Sequence, residues 1–165
     1  MIGGGDHECV VKVADWAAGQ GEHVLVTLGL GSCVAIMLHD AGARAGAMAH
    51  VLLPSRSLAR DTSNPAKFPE TAVPFLIEQL RQLDADPRRL VAKLVGGASM
   101  FAQLMTPGSV QMGERNVAAA RNALRAAAIP VVGEAVGGGA GRSVRFHVSD
   151  GRVEIRTVGS NGCLI

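Results

Sequence analysis

Two apolar runs and the turn between them occupy residues 33–53, which read CVAIMLHDAGARAGAMAHVLL. Short apolar runs bounded by turn residues are typical of β-strands. The first run covers 33–38 and the second covers 47–53, with small and polar residues between them. We therefore expect an antiparallel hairpin that has Ala41 and Gly42 at the tip of its turn.

This turn predicts which residues of the hairpin face each other. It places Val34 opposite Ala49 and Cys33 opposite His50. Side chains alternate between the faces of a strand, so the Val, Ile and Leu residues share one face and Cys33 and His50 share the other. Directly opposite residues have Cβ atoms about 4.5–5.5 Å apart. A slip of one residue would bury His50 and expose the apolar face, which disfavours it.

Cys33 is the candidate nucleophile. A thiol becomes reactive when a neighbouring group takes its proton, and His50 is suited to hold it in a thiolate–imidazolium pair. Thr27 is the candidate for orienting the imidazole, and the backbone N–H groups around Gly31 and Ser32 are candidate oxyanion donors. The alternative is that Cys33 is a small buried hydrophobe and His50 a structural residue. Spacing alone leaves both interpretations open.

Composition indicates one globular domain over residues 1–165, in which the glycine-rich residues 1–6 are expected to be disordered. Hydrophobic residues make up 48% of the chain and charged residues 18%. The net charge is +2, and the basic residues are scattered along the chain. Aromatic residues are few, with no Tyr, one Trp and four Phe. Both features argue against a nucleic-acid-binding surface.

The sequence also predicts where the chain resides and what it lacks. No apolar run has the length of a membrane span, and the N-terminus lacks a signal-peptide pattern, so we expect no membrane insertion. Cys9, Cys33 and Cys163 are widely spaced, which favours neither disulfides nor zinc and indicates a reducing, cytoplasmic location. The group His7-Glu8-Cys9 has too few ligands for a convincing metal site. We expect no metal and no cofactor.

Strands and helices are predicted along the rest of the chain. Strands are expected at 10–13, 23–28, 90–95 and 131–136, a hairpin from 143–148 and 153–158, and helices from near Pro69 to Leu83 and over about 114–128. Pro69 suits a first helical turn, whereas Pro74 should kink the helix or delay its start. Residues 55–67 lack periodicity and predict a long loop.

Two glycine-rich segments follow predicted strands. The first, Gly96-Gly97-Ala98-Ser99, is suited to hold an anion or to form a tight turn, and the turn is the more frequent case. The second, 137–141, is a similar break that could also shape a groove for a substrate helix. Ser99 and Arg142 are candidate substrate contacts. The alanine-rich helix at 114–128 is predicted to serve core packing.

Several blocks of the chain resemble the CheD chemoreceptor glutamine deamidases. They fall in the order of that family and cover about residues 20 to 160, so together they are far more specific than any single motif. The blocks are VTLGLGSC at 26–33, GAMAHVLLP at 46–54, TAV at 71–73, GGASMF at 96–101, GERNV at 113–117 and GRSV at 141–144.

The resemblance implies a catalytic Cys, His and Thr, which fall on Cys33, His50 and Thr27. It implies hydrolysis of selected glutamine side chains to glutamate on methyl-accepting chemotaxis receptors. It also implies an α/β (α+β) fold with a mixed or antiparallel β-sheet core flanked by helices, similar to bacterial toxin deamidases. A CheC-type phosphatase that competes with the receptor is an implied partner.

Two other functions remain open at this point. The same thiol could hydrolyse glutamyl methyl esters of receptors, because both reactions pass through a glutamyl thioester. The chain could instead be a non-catalytic adaptor that docks on receptors or on CheC, in which case Cys33 would have an ordinary thiol pKa.

Overall fold

The computed structural model describes residues 7–100, 104, 108 and 110–165, which form ten β-strands and two α-helices. The strands are β1 (Glu8–Val10), β2 (Trp16–Gln20), β3 (Val24–Leu30), β4 (Val34–Asp40), β5 (Ala45–Val51), β6 (Val91–Gly96), β7 (Val131–Val136), β8 (Arg142–His147), β9 (Val153–Thr157) and β10 (Cys163–Leu164). The helices are α1 (Pro69–Arg81) and α2 (Met112–Ala126). The disorder expected for residues 1–6 lies outside the described residues.

The strands form two mixed sheets of five strands each. Sheet A has the order β1-β3-β8-β9-β10, and sheet B has the order β2-β5-β4-β6-β7. Neighbouring strands are antiparallel except for the parallel pairs β1–β3 and β6–β7. The predicted α+β class, with mixed sheets flanked by helices, is confirmed, and the strands are divided between two sheets.

Sheet B is the middle layer of the described residues. Its Val34, Ile36 and Leu38 belong to one apolar core together with side chains of α1 and α2. The alternate residues Ala35 and Met37 belong to a second core together with side chains of sheet A. Both faces of β4 and β5 are therefore buried, which explains their continuous apolar sequence. The sequence argument assumed one apolar face and was wrong on this point.

The register of the β4–β5 hairpin differs from the predicted one by two residues. Val34 pairs with Val51, and Ala35 pairs with His50. The strands extend to Asp40 and Ala45, so the loop between them is longer than the predicted two-residue tip. Since the shift is an even number, every side chain keeps its predicted face.

The longer loop is held by the carboxylate of Asp40. Its Oδ1 accepts hydrogen bonds from the backbone N–H groups of Gly42 at 2.9 Å and Ala43 at 3.3 Å. Both oxygens also accept from the guanidinium of Arg89, which follows α1 in the chain, at 2.8–3.2 Å. Turn propensity alone cannot reveal this anchor, because Arg89 is 49 residues away in sequence.

Other boundaries differ from the predictions in smaller ways. Strand β2 was not predicted from the sequence. Helix α1 begins at Pro69 and continues through Pro74, so its start is not delayed. Residues 55–67 contain two short 3-10 turns, Arg56–Leu58 and Pro65–Lys67. Neither described helix has the length and apolar character that a membrane crossing requires.

Candidate active site

Cys33 lies where the chain crosses from sheet A to sheet B. It was expected to begin a strand, but it immediately precedes β4 and follows the last residue of β3 by three positions. Its side chain is half-buried between the sheets, against the core they share. The crossing places the thiol at the boundary between the two layers.

Three successive carbonyl groups of this crossing are tied to neighbouring segments. Gly31 O accepts from Ala98 N, Cys33 O from Gly97 N and Ser32 O from Asn116 Nδ2, each at 2.8 Å. In a trans peptide the C=O and the following N–H point in opposite directions. Because the carbonyls of Gly31 and Ser32 point toward Ala98 and Asn116, the N–H groups of Ser32 and Cys33 point away from those two residues.

Gly96 is required for this close approach of backbone to Cys33. Its φ is +118°, a conformation that residues with a Cβ rarely adopt. A Cβ at this position would overlap with the carbonyl oxygen of Cys33. The segment 96–99, predicted as a tight turn, thus packs directly against the backbone of Cys33.

His50 lies on β5 with its imidazole facing sheet A, and it is fully buried. Its Nδ1 lies 2.7 Å from Oγ1 of Thr27, a buried residue of β3. The Thr27 hydroxyl donates to Val11 O at 2.6 Å. Since this hydroxyl has only one hydrogen, it accepts from His50, which places the ring proton on Nδ1. Nε2 is then the atom that is able to accept a proton.

Cys33 and His50 are diagonal neighbours across the hairpin. His50 pairs with Ala35. Cys33 lies two residues before Ala35, just ahead of β4, and its side chain packs against the same core as that of Ala35. Diagonal residues in an antiparallel pair have Cα atoms about 7–8 Å apart, against about 4.5–5.5 Å when they are directly opposite. The predicted direct pairing is therefore corrected. Nε2 of His50 is buried and has no hydrogen-bond partner among the described residues.

Burial disfavours both charged groups of the expected ion pair. It raises the pKa of the Cys33 thiol above the ordinary 9.0, an effect partly opposed by the residue's own backbone N–H. Burial also lowers the pKa of the His50 imidazole below 6.5. Both directions oppose the thiolate–imidazolium pair inferred from sequence.

A groove of about 590 Å³ opens beside the crossing. Gly29 and Gly31 line one part of it, together with Met100, and the segment 139–143 lines another. Arg142 is among the lining residues, although its Nη1 donates to Gly137 O at 2.8 Å. Ser99, the other candidate contact, is not a lining residue, and its N–H donates to Gly138 O at 2.9 Å.

Asn116 is the residue near the site that sequence reasoning missed. It lies on the buried face of α2, in the helix that was predicted to serve core packing alone. Its Nδ2 donates to Ser32 O and, at 3.2 Å, to Leu52 O. The available signal was a polar side chain at a helical position flanked by the apolar Val117 and Ala120.

Comparison with known proteins identifies the family. A family model described as CheD chemotactic sensory transduction matches residues 52–157. The chain is 40% identical over 149 residues to the "Probable chemoreceptor glutamine deamidase CheD" of Caldanaerobacter subterraneus, covering 90% of this chain and 92% of the relative. It is also 40% identical over 150 residues to the "Chemoreceptor glutamine deamidase CheD" of Thermotoga maritima, covering 91% and 92%. The "Probable chemoreceptor glutamine deamidase CheD" of Thermococcus kodakarensis is 40% identical over 158 residues, covering 96% and 97%. This chain therefore belongs to the CheD family.

Proposed function

We propose that this protein deamidates glutamine side chains of methyl-accepting chemotaxis receptors, with Cys33 as nucleophile and His50 as general base. The observation that carries the proposal is the Thr27–His50 hydrogen bond, which leaves Nε2 of a buried imidazole unprotonated and without a partner on the face it shares with Cys33. A core histidine without a function would be expected to have both ring nitrogens satisfied.

In the first half of the reaction, the sulfur of Cys33 attacks the carboxamide carbon while Nε2 of His50 takes the thiol proton. The N–H groups of Ser32 and Cys33 donate to the oxyanion of the tetrahedral intermediate. His50 then returns the proton to the departing nitrogen as the C–N bond breaks. Ammonia leaves, and a glutamyl thioester remains on Cys33.

In the second half, His50 takes a proton from water as the water oxygen attacks the thioester carbon. The second tetrahedral intermediate collapses with cleavage of the C–S bond, and the proton on His50 returns to sulfur. The product is glutamate, and the net reaction consumes one water for each ammonia released. Throughout, Thr27 accepts from Nδ1 and keeps Nε2 directed at the reacting atoms.

The groove beside Cys33 is the proposed docking site for the helical cytoplasmic region of a receptor. Glycines at 29, 31, 139 and 141 leave its walls low, which allows a bulky helix to approach the thiol closely. Arg142 and Arg156 add positive charge to its lining. A CheC-type phosphatase would compete with the receptor for the same surface. Because the proposed substrate is the cytoplasmic region of a receptor, the protein would act in the cytoplasm.

The test uses purified protein and a receptor cytoplasmic fragment. Wild type and Cys163→Ala, a control that removes an exposed thiol, should release ammonia, whereas Cys33→Ala should release none. Mass spectrometry should show a gain of about one dalton for each converted glutamine, whereas methyl-ester hydrolysis would remove about fourteen. Ammonia release by Cys33→Ala equal to that of wild type would contradict the proposal.

A further inference from the structure

Asn116 connects the segments on both sides of the candidate site. Its Nδ2 donates to Ser32 O, one residue before the thiol, at 2.8 Å and to Leu52 O, two residues after His50, at 3.2 Å. The residue is fully buried. One side-chain amide of α2 thus contacts the backbone just before β4 and just after β5.

The chemistry of the amide fixes its orientation. Both neighbours are carbonyl oxygens, which accept hydrogen bonds, so only the NH2 group can face them. Oδ1 then points elsewhere, and it is buried without a hydrogen-bond partner among the described residues. Leaving a buried acceptor unpaired is unfavourable, so core packing does not account for an asparagine at this position.

Helix α2 is built to bring Asn116 to this position. Gly113, one turn earlier on the same face, packs so closely that a Cβ there would lie 2.5 Å from the carbonyl oxygens of Gly97 and Ala98. The same loop donates its N–H groups to Gly31 O and Cys33 O. The helix, the loop and the Cys33 segment therefore pack closely against one another.

We propose that Asn116 is a positioning residue, which holds the Ser32–Cys33 peptide so that the Cys33 N–H points at the oxyanion. The peptide plane links the two groups, because the carbonyl held by Asn116 and the N–H of Cys33 point in opposite directions. That N–H lies beside the sulfur of its own residue, where the oxyanion of an attacked carbonyl would form. The inference rests on the proposed function.

The test compares two variants at this position with a matched control on the same helix. Asn116→Asp keeps the shape but removes both donor hydrogens, and Asn116→Ser is uncharged and too short to reach both carbonyls. Asn122→Asp makes the same change at an exposed position of α2. Each protein is assayed for deamidation of a receptor cytoplasmic fragment, for thermal unfolding by circular dichroism, and for alkylation of Cys33 by iodoacetamide.

We expect kcat to fall about 100-fold in both Asn116 variants while KM stays within about threefold, because the effect arises in the tetrahedral intermediate. Alkylation of Cys33 should stay within about threefold of wild type, since iodoacetamide reacts at a saturated carbon and forms no oxyanion. Asn122→Asp should behave as wild type in all three measurements. Asn116→Ser carries the test if the buried carboxylate prevents folding.

Three outcomes would overturn the inference. One is a folded Asn116 variant whose kcat is within about threefold of wild type. Another is a loss of deamidation matched by an equal loss of alkylation, which would place the effect on the thiol itself. The third is an inactive wild type, which would remove the proposed function and this inference with it. The first two leave wild type active and so concern Asn116 alone.

Discussion

Oγ1 of Thr27 lies 2.7 Å from Nδ1 of His50, and this contact joins the two sheets at the candidate active site. Thr27 belongs to β3 of sheet A and His50 to β5 of sheet B, and both side chains are fully buried. Between them the chain passes through Cys33 on its way from one sheet to the other. The three proposed catalytic residues thus come from two layers and the crossing that connects them.

Replacing Thr27 by valine should reduce kcat at least about 100-fold, because the imidazole would lose the acceptor that holds its proton on Nδ1. The same change leaves Nδ1–H of His50 and the carbonyl of Val11 without their buried partner, so the free energy of unfolding should fall by about 1–3 kcal/mol. Ammonia release and chemical denaturation measure the two effects. Thr27→Ser, which keeps the hydroxyl, is the control. Activity of Thr27→Val within about threefold of wild type would contradict the orienting role.

The pH dependence should reflect a neutral pair. A protonated His50 cannot accept the thiol proton, so kcat/KM should fall as pH decreases through its pKa, which burial places below 6.5. Alkylation of Cys33 should rise with pH and reach half its maximum above pH 9.0, since burial raises the pKa of the thiol.

A Cys9→Ser/Cys163→Ser background confines alkylation to Cys33, because the chain has three cysteines. His50→Gln in this background shows how much of the profile depends on the imidazole. Rapid alkylation at pH 7 that disappears in His50→Gln would mean that the free enzyme holds a thiolate–imidazolium pair, contrary to this prediction.

Substitution of Gly96 by alanine should lower kcat by far more than the loss of stability alone would explain. The new Cβ would overlap with Cys33 O and shift the nucleophile, and a displacement of about 1 Å can lower the rate about 100-fold. Gly21→Ala is the matched control, because Gly21 also has a positive φ, +67°, but no heavy atom lies within 4 Å of its added Cβ. Both variants should lose stability from backbone strain. Equal kcat values for the two would refute the claim that Gly96 makes room for Cys33.

Arg89→Met should destabilise the fold by about 1–2 kcal/mol at pH 7, because it leaves the fully buried carboxylate of Asp40 without its main partner, while solvent around the half-exposed Arg89 screens part of the interaction. Arg89 is the largest of the causes that lower the pKa of Asp40 from 3.8 to about 2. The stabilisation is therefore complete above pH 3.8 and disappears as pH falls through 2, so the gap between variant and wild type should narrow in that window.

The neighbouring Arg88→Met provides the control for this experiment. Arg88 forms an exposed ion pair with Asp86, and such pairs contribute little to stability because solvent screens their charges. Denaturation curves from pH 7 to pH 2 give the comparison. If Arg89→Met and Arg88→Met are equally stable at pH 7, Asp40 does not depend on Arg89 for its buried charge.

Local pattern was sufficient for both helices, for most of the strands and for the faces of the central hairpin. The run 131–136 was predicted as a strand and is β7, and the hairpin predicted from 143–148 and 153–158 is the antiparallel pair β8–β9. Alternation alone placed Cys33 and His50 on one face, and that placement survives the corrected register because the shift is two residues. The partners of Asn116, by contrast, could not be read from local pattern, since Ser32 and Leu52 are 84 and 64 residues away.

Sequence alone was enough to establish the alternation that puts thiol and imidazole on the same side and the blocks that point to the family; the class of fold followed from that resemblance. These properties depend on residues close together in the chain, whose period and turn chemistry are local. Only the tertiary structure decided the register and the division into two sheets. It also decided which ring nitrogen of His50 is left to accept a proton. Each of these depends on contacts between distant segments: Asp40 with Arg89, β3 with β5, and Thr27 with both His50 and Val11. Such contacts form only when buried polar groups must find partners in the folded chain.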